Sequence, residues 1–158
     1  MAAGFRVLVV GMEEICYNHQ KTDIVREVRN MFQDKVVAIT GGAGGIGACI
    51  AEEFRKNGAH VCIIDCREGS HFVGDVGSRA DLERFAGAVI GQCGRVDVLV
   101  NNAPPSFIGI DKCSYEEFQH SLAKGVTAPF YLSKLFAPYF APGSSIINIS
   151  SSRDRMRC

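Results

Sequence analysis

The chain has 158 residues, 47% of them hydrophobic, and 17 Lys and Arg balance 17 Asp and Glu to a formal net charge of zero. That length holds one domain, with a core large enough to bury roughly 70% of the surface that the unfolded chain exposes. The even charge leaves no electrostatic footprint for nucleic acid or an anionic membrane, and no apolar run approaches the roughly 20 residues of a membrane span.

In chain order, Phe5 to Val10 reads as a strand too short for a signal-peptide core, with no small-residue cleavage site behind it. Thr22 is placed to cap a short helix in which Ile24 and Val28 share a face. Residues 1–30 are expected to be an N-terminal extension, with disorder as the simplest reading, and Met31 makes a natural start for the folded domain.

Val36 to Ile39 is a buried strand bounded by a glycine cluster. Ile46, Ile50 and Phe54 then recur every fourth residue among charged neighbours, a helix stopped by Asn57-Gly58, and Val61 to Ile64 is a second strand ending on Asp65. Gly41, Gly42, Gly44, Gly45 and Gly47 remove side chains where the chain turns and where backbone must approach a pyrophosphate. The N–H groups at the start of the helix face the anion. Asp65 is expected to accept from both hydroxyls of an adenine ribose and to repel a 2′-phosphate, which favours NAD over NADP; Arg67 softens that preference.

His71 to Asp75 is expected as a third short strand. Ser78 caps a helix running to about Gln92, with Leu82, Phe85 and Val89 on one face and Gly94 as its stop. Val96 to Val100 is a fourth strand, leading into Asn101-Asn102-Ala103-Pro104. Ser114 and Glu117 form a capping box that starts a helical stretch, kinked near Gly125 or Pro129 and continuing to about Phe136. Residues 126–136 are apolar nearly all round, the profile of a helix buried on more than one side. Ser145 to Ile149 is the fifth strand, ending at Ser150-Ser151-Ser152.

The seven cysteines include no CxxC pair, and Cys62 with Cys66 lacks a second pair to complete a zinc site. Reduced, mostly buried thiols in a cytoplasmic protein are expected. Tyr131 and Lys134 sit three apart on a helix but are read as packing and solvent residues.

Two glycine registers fit the turn: Gly42-x-Gly44-x-x-Gly47 is the general dinucleotide fingerprint, and Thr40-Gly41-x-x-x-Gly45-Ile46-Gly47 resembles the short-chain dehydrogenase/reductase family. Asp65, Asp75-Val76, Asn101 to Ala103 and the serine-rich end of the fifth strand follow in that family's order, so the resemblance covers Met31 to Ser152. It implies a Rossmann-type, doubly wound parallel α/β sheet and NAD(P)-dependent hydride transfer between nicotinamide and a small carbonyl or alcohol substrate. It assigns Thr40, Gly41, Gly45, Ile46, Gly47, Asp65, Asp75, Val76, Asn101 and Ala103 to the cofactor, and Ser151 to catalysis. For Asp75 the alternative is an ordinary turn aspartate.

Three departures stand out. Pro104 replaces the glycine of the family's NNAG, Gly125 stands where many members have a relay asparagine, and no Y-x-x-x-K follows Ser151. The expectation is therefore the cofactor-binding part of such an enzyme, with the sheet truncated after the fifth strand, an atypical charged tail at 153–158, and no turnover by this chain alone. A non-catalytic NAD-binding half-domain or partner subunit is the alternative. The family's packing of the helix at 126–136 against a second subunit implies a homo-oligomer, with no nucleic acid or membrane partner and no metal.

Overall fold

A computed structural model describes residues 31–68, 70–105, 109 and 111–150, together with a strand at 6–10. The strands are β1 (Arg6–Val10), β2 (Val36–Thr40), β3 (His60–Asp65), β4 (Phe72–Val73), β5 (Val96–Asn101) and β6 (Phe140–Ile149). The helices are α1 (Gly45–Lys56), α2 (Arg79–Cys93), α3 (Tyr115–Leu122) and α4 (Ala128–Phe136), with a π-helical segment, Ala123–Thr127, joining α3 to α4.

All strands are parallel, in the order β1-β6-β5-β2-β3-β4. A sheet covered on both faces explains the unbroken apolar runs of β2, β3 and β5. Successive side chains of β2 alternate between the two cores. Val36 and Ala38 join Cys62, Ile64 and Leu99 beneath Phe85 and Val89 of α2 and Leu132 and Phe136 of α4. Val37 and Ile39 join Ile63, Val98 and Val100 beneath Ala51, Ile50 and Phe54 of α1. Phe32, just before β2, closes the second core with its ring edge-on to Phe54 at 4.9 Å.

The ends of the elements are where the sequence signals place them. Ser78 Oγ accepts the Asp81 N–H, and Gly94 ends α2 in the left-handed region at φ 71°. Ser114 and Glu117 make a reciprocal capping box: Ser114 Oγ accepts the Glu117 N–H at 3.1 Å, and the Glu117 carboxylate accepts the Ser114 N–H at 2.8 Å. The expected kink at Gly125 is the π segment, whose extra residue per turn rotates the faces of α3 and α4 relative to one another.

Four expectations need correction. The third strand is only Phe72–Val73, because Gly74 and the turn at Asp75 leave the sheet early. The stretch 126–136 is not buried all round: Ala128, Leu132 and Phe136 pack inward at every fourth residue, while Val126 and Phe130 are 62% and 66% exposed. Of the described cysteines, which are all free, only Cys62 is buried; Cys49 and Cys66 are exposed. Finally, residues 1–30 do not lie wholly outside the domain whose last strand is β6. Arg6 to Val10 lies parallel beside it in register with Ser145 to Ile149, so part of the expected extension belongs to the sheet. The unpaired N–H and C=O groups of an edge strand accept another β-prone segment as a neighbour.

β6 also begins earlier than its apolar run suggests. Gly143, at φ 85°, accompanies a register irregularity between Val96 and Val98, and the buried Ser144 hydroxyl donates to the Val96 carbonyl at 2.9 Å.

Candidate functional site

The chain leaves β2 toward β3 on one side and returns to β5 on the other, so the sheet reverses its winding between β2 and β5. Crevices for ligands open beyond the carboxyl ends of the strands at such a switch point. Here a cleft of about 1090 Å³ opens beyond β2, β3, β5 and β6, with the π segment and the start of α4 along one wall.

Thr40 and Gly41 leave β2 at the floor of this cleft. Thr40 Oγ1 accepts the N–H groups of both Asn102 and Ala103 at 3.0 Å, and the Asn102 side-chain amide donates to the carbonyls of Thr40 at 3.1 Å and Gly41 at 2.9 Å. These four bonds fasten the turn after β2 to the turn after β5. The fit requires glycine. Gly41 is left-handed at φ 68°, and a Cβ there would lie 2.8 Å from Ala103 Cα; a Cβ on Gly47 would collide with the Gly41 carbonyl and the Asn102 amide. Gly45, Ile46 and Gly47 form the first turn of α1 on the same cleft, with no side-chain cap from Gly44, so N–H groups at that terminus are left for a ligand.

Asp65 ends β3 on the rim. Its Oδ2 accepts the Ala43 N–H at 3.0 Å and its Oδ1 accepts the Arg67 N–H at 3.1 Å, which fixes the carboxylate against the glycine turn. Oδ1 also accepts from the Cys66 thiol at 3.7 Å, and Oδ2 keeps lone-pair capacity for a further donor. The Arg67 guanidinium lies over the same turn, 3.5 Å from the Ala43 carbonyl.

Asp75 and Val76 border the cleft from the loop after β4, and Asn101 and Ala103 from the end of β5. The Asn101 side-chain nitrogen donates to Asn148 Oδ1 of β6 at 2.8 Å, while its own Oδ1 is buried without a hydrogen-bond partner among the described residues. All ten residues expected to touch a cofactor thus border one cleft. Ser151 lies outside the described residues, as do Phe107 and Ile108; Ser150, before Ser151, reaches the cleft. Tyr131 and Lys134 do not border it. Among the described residues no group of acidic, His and Cys side chains is arranged to hold a metal, and no helix is long and apolar enough to cross a membrane.

Sequence reasoning passed over Asn102, Lys124 and Asn148. The side-chain lock made by Asn102 had a signal, its position between two strand-end residues. Lys124 and Asn148 had none, since helix geometry and strand pairing bring them to the cleft from distant parts of the chain.

A doubly wound parallel sheet, a glycine turn at its switch point and a carboxylate at the end of the next strand define a Rossmann-type dinucleotide-binding domain. The chain belongs to the short chain dehydrogenase family, whose model matches residues 35–157; that family uses nicotinamide cofactors.

Momilactone A synthase of Oryza sativa subsp. japonica is 35% identical over 137 residues, 74% of this chain and 50% of that protein. L-fucose dehydrogenase of Rattus norvegicus is 33% identical over 136 residues, 76% of this chain and 50% of that protein. The structure of ligand-free aldohexose dehydrogenase from Thermoplasma acidophilum superposes with a TM-score of 0.74 at 29% identity, covering 82% of this chain and 54% of that one. A blue fluorescent protein from a metagenomic library, in complex with NADPH, gives a TM-score of 0.73 at 26% identity, covering 78% of this chain and 59% of that one. The chain spans about half the length of the curated relatives it matches.

Proposed function

We propose that this chain is the cofactor-binding part of an oxidoreductase that moves a hydride between nicotinamide and a carbonyl or alcohol carbon of a small molecule, with NAD preferred to NADP. One observation carries the reading: the glycine turn is pinned to the turn after β5 by Thr40 and Asn102, beside a carboxylate, Asp65, already held by two backbone N–H groups. The turn and the uncapped start of α1 hold the pyrophosphate, Asp65 takes the adenosine ribose, and Asp75 with Val76 lines the adenine. Asn101 and Ala103 border the path of the nicotinamide half.

The bound nicotinamide supplies the hydride chemistry; the protein's part is to bind and orient. Ser151 orients the substrate oxygen through its hydroxyl. No Y-x-x-x-K follows Ser151 within these 158 residues, and by themselves they are expected to bind cofactor without turnover. The exposed side chains of Tyr115, Phe118, Leu122, Val126 and Phe130 run along α3, the π segment and α4. This apolar stripe supports self-association, and a role as a binding partner subunit is the second reading it favours.

The test is a fluorescence titration of the 158-residue chain with NADH and NADPH, with a dehydrogenase assay on the same sample. Saturable NADH binding, tighter than NADPH, without turnover is expected. Absence of binding to either dinucleotide overturns the reading.

A further inference from the structure

The end of β6 that reaches the cleft is held on its two sides to different lengths. Toward β5 the register pairs Ser145 with Val98 and continues to Asn148 with Asn101, where it stops. Toward β1 it pairs Ser145 with Arg6 and continues to Ile149 with Val10, so among the described residues Ile149 is paired by β1 alone. Asn148, Ile149 and Ser150 all border the cleft, and Asn148 Oδ1 accepts from Asn101, the side chain whose own Oδ1 is buried without a partner among the described residues. The placement of this stretch of β6 therefore shapes one cleft wall.

Burial does little to hold it there. Every residue of β2 and β5 is buried, whereas Ser145 to Ile149 are only half-buried. A strand so placed leans on its backbone ladders, each hydrogen bond contributing about 1 kcal/mol. One of those ladders comes from a segment that lies ahead of residues 35–157, the part matched by the family model.

Resting on the dinucleotide reading above, we propose that residues 6–10 form a positioning strand of the cofactor cleft. The side of β6 that faces away from β5 is a docking edge for this segment, and its docking keeps Asn148 to Ser150 where a dinucleotide needs them. Residues 11–35 tether the strand to the domain, and a tethered segment meets its site at an effective concentration on the order of mM. The same segment supplied as a free peptide at that concentration fills the same edge by strand addition.

The test is amide hydrogen exchange and NADH affinity of the full 158-residue chain with one proline at a time in β1. Successive N–H groups of a strand face opposite sides, so of Val7 and Leu8 one donates toward β6 and the other faces away. Proline at the first position removes a ladder bond, and at the second it is tolerated on an edge strand. One of Val7→Pro and Leu8→Pro therefore raises exchange at residues 145–149 by roughly tenfold and weakens NADH by a similar factor, the scale of about one lost hydrogen bond, while the other leaves both near wild type. Exchange in Val36–Thr40 stays at the wild-type rate, which separates a loosened wall from a chain that unfolds. Val9→Pro and Val10→Pro repeat the alternation at the end of β1, with less demand on folding. A peptide of residues 4–12 at mM concentration restores the affinity of the weakened variant. If the wild type binds NADH, exchange at 145–149 indifferent to all four prolines, or a loosened β6 with unchanged NADH affinity, overturns the inference and leaves the dinucleotide reading standing. A wild-type chain that binds neither NADH nor NADPH overturns both.

Discussion

Asn102 holds Thr40 through two donors, one from its backbone and one from its side chain: the Asn102 N–H donates to Thr40 Oγ1 at 3.0 Å, and the Asn102 side-chain amide donates to the Thr40 carbonyl at 3.1 Å. Thr40 is buried, and its hydroxyl also takes the Ala103 N–H. Thr40→Val keeps the shape of the side chain and leaves two backbone donors without that acceptor. Such loss costs about 1–3 kcal/mol per unsatisfied buried group. The two N–H groups are only part-buried, so urea unfolding is expected to show a destabilisation near the low end for the pair, about 2 kcal/mol, with Thr40→Ser close to wild type; a neutral Thr40→Val would mean that the two turns are held together by packing alone.

On the proposed function, Asp65 is the residue that sets the cofactor preference. Asp65→Ser removes the charge that opposes a 2′-phosphate while Arg67 remains over the glycine turn. The ratio of NADPH to NADH affinity is expected to rise about tenfold or more, the scale of one charged hydrogen-bond partner. Parallel titrations measure it, and a ratio that does not move removes Asp65 from the ribose.

Asp97 gives the stability an acid limb. Burial pushes its carboxyl up, but the Val36 N–H at 3.0 Å, the Arg95 guanidinium and the Lys35 ammonium at 3.2 Å together outweigh that and hold it below the usual aspartate value. With the folded-state value depressed, the stabilisation is fully present above the unfolded-state pKa of about 3.9 and is lost as the pH falls through the lower folded value. Denaturant midpoints measured downward from pH 6 are expected to fall in that acid window, with a flatter profile for Asp97→Asn.

Cys62 is expected to be chemically silent. Burial first, and the neighbouring Cys93 second, push its thiol up to about 12, which leaves almost no thiolate near neutral pH. Mass mapping after iodoacetamide at pH 8 should find Cys49 and Cys66, both exposed, carrying the label and Cys62 bare in the folded protein. Early labelling of Cys62 would show that β3 opens on the timescale of the reaction.

The stripe from Tyr115 to Phe130 is expected to join copies of the chain. Phe130 is two-thirds exposed, so Phe130→Glu adds charge to the stripe without entering the core. Sedimentation velocity should show the wild type associating and the variant shifted toward monomer, with unchanged circular dichroism. A monomeric wild type ends that reading.

Local rules were enough for the parts of this molecule whose causes are local. The two-sided burial of Val36 to Ile39 follows from an unbroken β-branched and apolar run, the capping of α2 and α3 from Ser78 and Ser114, and the turn after β2 from glycines that a Cβ would block. Because the glycine turn is itself local, its residues could be read from the chain order, and the ten residues expected at a cofactor border one cleft. What the chain order concealed are relationships across long separations. The amide of Asn102 reaches back to residues 40 and 41, and β1 crosses to the far side of the sheet to pair with β6. The π segment turns Lys124 toward Asp75 and leaves Val126 and Phe130 in solvent, because a one-residue insertion in a helix rotates every side chain that follows it. Hydrophobic periodicity says which residues seek burial; which face finds a neighbour is decided only when the elements pack.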